Sequence, residues 1–345
     1  MSLVIANFDF DKPGVLIIAE LSANHNGSLD NALATIKAAK RAGADAIKIQ
    51  TYTADTITLD AKTNDFLIKG TIWDGQYLHD LYQEAYTPWE WHKQLFDAAA
   101  AEGLISFSSP FDKTAVDYLE ALNVPAYKIA SPEITDIPLI EYVASKMKPV
   151  IVSTGIADQE DIILAIKACK SQGNNQIALL QCTSSYPAPV EEARLAMIKE
   201  FSDRFGVISG LSDHTMGLIS PVVATALGAR IIEKHFILDR SIGGPDASFS
   251  LNEKEFTEMV SAVREAEKAI GSINYSLSEK QIKSREFCRS LYVVKDVKKG
   301  ETITEENVRS IRPGYGLHPK HLPEVLGKKF SRDVNKGDRF DLTMS

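Results

Sequence analysis

Two histidines, His214 and His235, have the side-chain type and the spacing to bind a metal ion together. Each comes at or just past the end of a short apolar strand, in the segments GVISGLSDHT and RIIEKHF, and a helical segment fits between these strands. This order forms a βαβ unit with two parallel strands about 5 Å apart, so groups that end both strands can share one ligand. Imidazoles are common ligands of transition metals. The alternative is that each histidine only caps a strand through hydrogen bonds; the acidic neighbours Asp213, Glu233 and Asp246 favour the metal site.

Two lysines, Lys48 and Lys128, lie inside the apolar segments AIKIQT and AYKIAS. Burying an unpaired ammonium group costs several kcal/mol, so two lysines that face one interior predict an anion between them. Hydroxyl groups of Ser109, Ser131 and Ser153 could donate to the same anion, which would complete a phosphate or carboxylate pocket.

Two other interpretations of the lysines stay open. One of them could form a Schiff base with a carbonyl substrate, a role that needs neither the second lysine nor the histidine pair. Alternatively, the lysines could form two separate salt bridges, Lys48 with Glu20 and Lys128 with Glu133.

The elements that must position these residues are short apolar segments that alternate eight times with amphipathic helical ones. The predicted strands are VLIIAE, AIKIQT, LISFSS, AYKIAS, PVIVST, IALLQCT, VISGLS and RIIEKHF. Eight βα units predict a (β/α)8 TIM barrel, in which functional groups lie at the C-terminal ends of the strands. An open doubly wound sheet would require a glycine-rich phosphate turn after an early strand, and the first turn, SANHNG, does not supply one. Nearly every predicted strand ends in a polar or ionisable residue, as the barrel requires.

One connection, residues 53–87, is longer than a usual βα loop and is predicted to lie on the catalytic face and shape the substrate site. It carries four aromatic residues that either stack on a sugar or only pack the insertion onto the barrel, namely Trp73, Tyr77, Tyr82 and Tyr86. At its end, Thr87 and Glu90 predict a capping box for the next helix, and Asp158 with Asp161 give a weaker start signal further on.

The last part of the chain changes character. The predicted catalytic barrel covers residues 1–272, a polar linker covers 273–289, and a small β-rich domain with KKGE and NKGD turns covers 290–345. A domain of this size buries little surface alone, so we expect it to pack against a barrel, either its own or that of a partner chain.

Composition excludes several classes of protein. The formal net charge of −8 argues against nucleic acid or an anionic membrane as a partner. No apolar run approaches the roughly 18 residues of a membrane span, and the acidic N-terminus does not resemble a signal peptide. Three scattered cysteines argue against a disulfide framework and suit a reducing compartment, so we expect a cytoplasmic protein.

Nine segments, in order, resemble the N-acetylneuraminate (sialic acid) synthase family: AELSANHNGS, AIKIQT, SSPFD, YKIASPEI, VSTG, QCTSSYPAP, GLSDHT, EKHF and GGPDASFS. The tail segment RPGYGL is similar to that family's C-terminal antifreeze-like (SAF-type) domain, so the resemblance covers essentially the whole chain. It implies a transferase that condenses phosphoenolpyruvate with an open-chain N-acylated amino sugar, giving a nine-carbon 2-keto acid and phosphate. The divalent metal that it implies is Mn²⁺, Mg²⁺ or Co²⁺.

The resemblance also implies roles for the residues that match its motifs. The metal ligands would be His214 and His235. The phosphoenolpyruvate-binding residues would be Lys48, Ser109, Lys128, Ser131, Ser153 and Ser212. The catalytic residues would be Glu20 and Glu133, either of which could handle the proton. The sugar-binding residues would be Gln50, Ser184, Tyr186, Asp246 and Arg312. In family dimers the matching arginine reaches into the partner's active site, so a domain-swapped homodimer is implied.

Two departures from the family pattern bear on the sugar. Relatives usually carry asparagine in C-T-N-x-Y-P, where this chain has Ser184, and histidine or a similar residue after G-P-D, where it has Ala247. The insertion GTIWDGQYLHDLYQEAYTPWEW looks like that of the family's bacterial pseudaminic acid synthases, whose substrate is a 6-deoxy diacetamido sugar of altrose configuration. A hydroxyl in place of an amide, beside aromatic surface, suits a sugar with more methyl groups. We therefore expect this sugar ahead of the precursors of legionaminic or sialic acid; a Schiff-base aldolase and a non-catalytic carbohydrate-binding protein are more distant alternatives.

Overall fold

A computed structural model describes residues 3–345 of the chain. The chain divides into two compact units, Met1–Gly271 and Ser272–Ser345. The first unit contains all the predicted βα repeats, and the second contains the β-rich tail.

The first unit is a closed barrel, which confirms the predicted fold class. A short antiparallel pair, β1 (Val4–Ile5) and β2 (Phe8–Asp9), precedes it. The eight parallel barrel strands are β3 (Leu16–Glu20), β4 (Ala46–Thr51), β5 (Ile105–Pro110), β6 (Tyr127–Ile129), β7 (Val150–Ser153), β8 (Ile177–Cys182), β9 (Ile208–Asp213) and β10 (Ile231–His235). The first and last of them pair in register from Leu16 with Ile231 to Glu20 with His235, and this pairing closes the sheet.

Helices cover the outside of the barrel and connect its strands. They are α1 (Leu29–Arg41), α2 (Ala54–Ile57), α3 (Leu78–Ala85), α4 (His92–Ala101), α5 (Lys113–Ala121), α6 (Ile137–Ser145), α7 (Gln159–Ser171), α8 (Ala196–Phe205), α9 (Ile219–Ala226) and α10 (Glu253–Ile270). Helices α2 and α3 belong to the long insertion after β4.

Two helix starts were predicted, with different outcomes. The capping box of Asp158 and Asp161 forms at the start of α7. The box predicted at Thr87 and Glu90 is wrong, because a 3-10 turn, Trp89–Trp91, precedes α4. Thr87 is buried, and its hydroxyl lies 3.4 Å from His25 Nε2, so it bonds a distant residue in place of the local backbone.

Alternation along each strand separates the apolar core from the site. Ile17, Ile47 and Ile232 face outward and join an apolar cluster with helix residues such as Ile36 and Phe256. Since successive strand side chains point to opposite faces, the residues between them face the barrel interior. The interior positions are therefore free to carry charged groups without disturbing the packing of the helices.

The second unit has its own small core. Its regular elements are α11 (Glu279–Ser284), the antiparallel strands β11 (Ser290–Val293) and β12 (Val308–Ile311), and α12 (Leu322–Val325). Buried apolar residues from both strands and the following turns form one cluster, which includes Leu291, Val308, Phe330 and Phe340. Within residues 3–345, every helix is too short or too polar to cross a membrane.

Candidate active site at the mouth of the barrel

Both predicted interior lysines are buried at the C-terminal rim of the barrel. Lys48 is 3% exposed and Lys128 is 2% exposed. Lys48 Nζ lies 2.7 Å from a Glu20 carboxylate oxygen and 3.7 Å from Glu233 Oε1, and Lys128 Nζ lies 3.1 Å from the same Glu233 oxygen. Four buried ionisable groups thus form one network, with Glu233 between the two lysines.

Of the two salt bridges considered for the lysines, Lys48 with Glu20 forms and Lys128 with Glu133 does not. Lys128 pairs with Glu233, which the sequence indicated only as an acidic neighbour of the histidines. A usable signal was present: Glu233 is two residues before His235 on the same strand, so both side chains point into the barrel.

Serine hydroxyls surround the lysines. Ser109 Oγ lies 3.3 Å from Lys48 Nζ, and the Ser212 hydroxyl donates to Glu233 over 3.1 Å. The hydroxyls of Ser153 and Ser184 are buried and have no hydrogen-bond partner within residues 3–345. A buried polar group without a partner is costly, so these hydroxyls are available to a ligand.

Gly155 makes room for the hydroxyls of Ser131 and Ser184. Its amide donates to Ser131 Oγ over 3.0 Å. A Cβ at this position would lie 2.2 Å from Ser184 Oγ and 2.8 Å from Ser131 Oγ. A larger residue would push these hydroxyls aside, so glycine lets the polar groups of this strand end lie close together.

The two predicted catalytic glutamates have different neighbours but share a raised pKa. Burial raises the pKa of Glu20 to about 7, although Lys48 opposes the shift, and Gln50 Nε2 donates to its carboxylate over 3.1 Å. Burial also raises the pKa of Glu133 to about 7. Glu133 lines an open cavity, and its Oε2 atom has no hydrogen-bond partner among the residues described. Both carboxyl groups can therefore exchange protons near neutral pH.

His214 and His235 lie side by side, with ring centroids 5.3 Å apart. The His214 Nδ1–H donates to the Thr183 carbonyl over 2.9 Å, which orients the ring and leaves Nε2 as the nitrogen that could bind a metal. Burial lowers the pKa of His214, but Cys182, the Thr183 carbonyl and Asp213 outweigh it, so the pKa is raised overall. His235 Nδ1 is buried without a hydrogen-bond partner inside residues 3–345, and Asp246 Oδ2 lies 3.7 Å from it. Burial, together with the positive charge of His214 and of the nearby lysines, lowers the pKa of His235, which keeps its ring neutral.

These features fit the divalent metal that the family resemblance implies. Metal ligation requires an imidazole nitrogen with a free lone pair. The neutral His235 ring offers one, and the Thr183 carbonyl orients the His214 ring so that its Nε2 could bind the ion on losing its proton. Two imidazoles that share an ion at about 2.1 Å have centroids roughly 5 Å apart, which matches their separation.

A second group of potential ligands, Asp60, His79 and Asp80, lies on the insertion. Lys62 Nζ already lies 2.6 Å from both Asp80 carboxylate oxygens and 3.4 Å from Asp60. The positive charge that these carboxylates attract is therefore supplied by the lysine.

A cavity of about 360 Å³ opens beside His235, and the insertion lines one side of it. Its polar wall includes Gln50, Glu133, Tyr186, His235 and Asp246. Its apolar wall comes largely from the insertion and consists of Ile57, Ile68, Trp73, Leu78, Leu81, Tyr82 and Ala85, with Phe111 and Phe249 from the barrel loops. The insertion thus forms one side of the candidate site.

Trp73 fixes the insertion to the opposite rim. Its indole N–H donates to the Pro245 carbonyl over 3.1 Å, and its ring centroid lies 5.5 Å from that of Tyr186. Of the four aromatic residues singled out in the sequence, Trp73 and Tyr82 line the cavity. Tyr77 instead carries the Lys62 ammonium group over its ring.

The first unit brings together every predicted site residue except Arg312. Arg312 belongs to the second unit, where it is exposed directly after β12 and makes no ion pair with any residue in the described part of the chain.

The fold and site define a (β/α)8-barrel protein with a buried lysine pair and a histidine pair at its C-terminal rim. The chain belongs to the NeuB family, whose profile matches residues 35–275. The SAF domain profile matches residues 289–340. These matches confirm the resemblance to sialic acid synthases and the nature of the tail.

Similar proteins cover nearly the whole chain. A pseudaminic acid synthase of Campylobacter jejuni is 53% identical over 97% of both chains, and one of Helicobacter pylori is 47% identical over 92% of this chain and 93% of the relative. An N,N'-diacetyllegionaminic acid synthase of Legionella pneumophila is 34% identical over 93% of this chain and 92% of the relative. The crystal structure of an N-acetylneuraminic acid synthetase from Leptospira borgpetersenii, in complex with citrate, has a TM-score of 0.73 at 29% identity, over 82% of this chain and 95% of that one.

Proposed function

We propose that this protein is a pseudaminic acid synthase. It would condense phosphoenolpyruvate with 2,4-diacetamido-2,4,6-trideoxy-L-altrose and water, and release pseudaminic acid and phosphate. The observation that carries the proposal is the buried lysine pair, Lys48 and Lys128, on the same barrel rim as His214 and His235, of which His235 lines the cavity. Identity of 47–53% to pseudaminic acid synthases, against 34–38% to legionaminic acid synthases, supports this sugar.

The lysine end of the site suits phosphoenolpyruvate. Lys48 and Lys128 offer two ammonium groups, and the free hydroxyls of Ser153 and Ser184 add donors that match phosphate and carboxylate oxygens. Together with Ser109, Ser131 and Ser212, these groups would hold the phosphate and carboxylate of phosphoenolpyruvate while its C3 atom faces the cavity.

The reaction forms one C–C bond and breaks one C–O bond. C3 of phosphoenolpyruvate attacks the sugar aldehyde, the aldehyde oxygen takes up a proton, water adds at C2 with loss of a proton, and the C2–O bond to phosphate breaks. A divalent metal bound by His214 and His235 supplies Lewis acidity at this end of the cavity.

We assign the two proton transfers to the two glutamates. Glu133 has a free carboxylate oxygen in the cavity and a pKa of about 7, so it can protonate the aldehyde oxygen. Glu20 lies 2.7 Å from Lys48, beside the anion pocket, and can accept the proton of the water that adds at C2.

The apolar wall of the cavity favours a sugar rich in methyl groups. An open-chain hexose with its aldehyde at the histidines would extend toward the insertion. There, Ile68, Leu78 and Leu81 present aliphatic surface without hydrogen-bonding groups. A 6-deoxy carbon and an acetamido methyl suit such a surface, whereas a hydroxyl would lose its hydrogen bonds to water.

The test is phosphate release from phosphoenolpyruvate and Mn²⁺ with the diacetamido-trideoxy sugar, compared with N-acetylmannosamine. We expect phosphate only when a sugar is present, a product mass equal to pseudaminic acid, and no activity in His235→Ala. Phosphate release that ignores the sugar would overturn the synthase. Preferred turnover of N-acetylmannosamine would keep the synthase and change the sugar, while borohydride trapping of pyruvate on Lys128 would indicate a Schiff-base aldolase.

A further inference from the structure

Lys234 lies behind the histidine pair, on the outer face of the barrel wall. Its ammonium group donates to the Asp213 carboxylate and to the Thr215 carbonyl. The three residues are buried, with at most 3% of each exposed. An ammonium group buried this deeply with two partners holds both of them in fixed positions.

The two partners of Lys234 flank His214 in the chain. Asp213 is the last residue of β9, and its pairing with Lys234 is the last one between β9 and β10. The sheet therefore does not fix the backbone at His214. Thr215 is held further by its amide, which donates to Asp213 Oδ1 over 2.9 Å, and by its hydroxyl, which donates to Ser220 over 3.0 Å.

Other hydrogen bonds hold His214 in place but do not connect it to His235. Its ring donates to Thr183, and its carbonyl accepts from the Ala188 amide over 2.9 Å. Both partners belong to the β8–α8 connection, which is not adjacent to His235 in the chain. Lys234, in contrast, adjoins His235 along the strand, so it connects the two histidines through a rigid element.

We propose that Lys234 is a positioning residue for the metal site, which sets the distance between His214 and His235 by clamping Asp213 and Thr215. This inference rests on the proposed role of the two histidines as metal ligands. Residues that orient metal ligands from behind typically change metal affinity 10- to 100-fold when they are replaced.

The test is Mn²⁺ binding to the whole protein without phosphoenolpyruvate or sugar, measured by electron paramagnetic resonance of the free ion. Lys234→Met alone would leave the Asp213 carboxylate buried and unpaired, which destabilises the fold. The double variant Asp213→Asn/Lys234→Met removes both charges and keeps the acceptor for the Thr215 amide. We expect its Kd for Mn²⁺ to rise about tenfold. Asp213→Asn alone, which keeps Lys234, tests the Lys234–Asp213 contact with a smaller change.

A matched control is Asp45→Asn/Arg264→Met. Arg264 Nη2 lies 2.6 Å from Asp45, just before β4, at the opposite end of the barrel. This variant removes a half-buried charge pair far from the histidines and should keep the Mn²⁺ affinity of the wild type. Unchanged affinity in the Lys234 double variant, or an equal loss in the control, would overturn the clamp. Failure of the metal-site assignment has a different signature, since His214→Ala and His235→Ala would then bind Mn²⁺ as the wild type does.

Discussion

The Glu233 carboxylate lies 3.1 Å from the Lys128 ammonium group, in the pocket that we assign to phosphoenolpyruvate. Without a bound anion, this carboxylate provides the negative charge that Lys128 requires. A phosphate or carboxylate group that enters the pocket then competes with Glu233 for the same ammonium group. The protein's own carboxylate thus keeps the empty pocket stable and must be partly displaced by the substrate.

Replacing Glu233 should therefore make stability depend on added anion. Glu233→Gln removes one partner of a buried ion pair, which costs about 3–5 kcal/mol. We expect a lower Tm than that of the wild type and a larger rise in Tm on addition of phosphate or phosphoenolpyruvate. Thermal unfolding with and without each anion measures both effects.

The control for this prediction is Glu255→Gln. Glu255 pairs with Arg240 at a half-buried position away from the lysines. Its phosphate-induced rise in Tm should equal that of the wild type. If Glu233→Gln gains no more from phosphate than this control does, the anion binds elsewhere.

The aromatic wall of the cavity should control the sugar and not phosphoenolpyruvate. Trp73→Ala removes both a wall of the cavity and the contact of the insertion with Pro245 and Tyr186. We expect the KM for the sugar to rise at least about tenfold, since 1.4 kcal/mol of lost contact corresponds to that factor, while the KM for phosphoenolpyruvate changes little. Steady-state kinetics with each substrate varied in turn measure the two constants.

Tyr77→Ala is the matched control, because Tyr77 lies on the same insertion but does not line the cavity. Its KM for the sugar should stay close to that of the wild type. Equal effects of both substitutions would mean that the insertion acts only through its folding.

The barrel and its inward-facing residues were predictable from the sequence because both follow from local patterns. Alternation along a strand decides which side chains face inward, and the barrel places all strand ends on one rim. These two rules place Lys48, Lys128, His214 and His235 on one rim without any knowledge of distances.

The pairing of charges was not predictable in the same way. The salt-bridge alternative paired Lys128 with Glu133, five positions along the chain, whereas the observed partner, Glu233, is 105 residues away. That contact depends on how β10 aligns with β3 and β9 when the barrel closes, and no local pattern encodes this alignment. The predicted cap at Thr87 is wrong for a similar reason, since a tertiary contact with His25 replaces the local cap.

Glu133 should make the protein less stable as the pH rises. Burial raises its pKa from 4.5 to about 7, so the folded state favours the protonated form. The stability that it contributes is fully present below pH 4.5 and is lost as the pH rises through 7. Glu133→Gln, which cannot ionise, should therefore match the wild type near pH 4.5 and exceed it at pH 8, by up to about 3 kcal/mol. Urea unfolding at the two pH values measures this difference.

Glu253→Gln provides a control of opposite sign. The hydrogen bond from Arg41 lowers the pKa of Glu253, so this substitution should lose a little stability at pH 8 and gain none. A Glu133→Gln variant that is no more stable than the wild type at pH 8 would mean that its carboxyl group ionises freely in the folded protein.

Arg312 is exposed in the second unit, directly after β12, and its guanidinium makes no ion pair within residues 3–345. We propose that it binds the sugar in the active site of a partner chain, as the family resemblance implies. Arg312→Ala should raise the KM for the sugar and leave that for phosphoenolpyruvate nearly unchanged, because the lysine pocket is complete without it.

Mixing Arg312→Ala with His235→Ala provides the sharper test. In a swapped dimer of the two variants, one site has both an intact His235 and an intact Arg312, so activity should return above that of either variant alone. Lys320→Ala, which removes an exposed positive charge elsewhere in the same unit, should leave both KM values unchanged. Mixed dimers that form but stay inactive would show that Arg312 does not act across the interface.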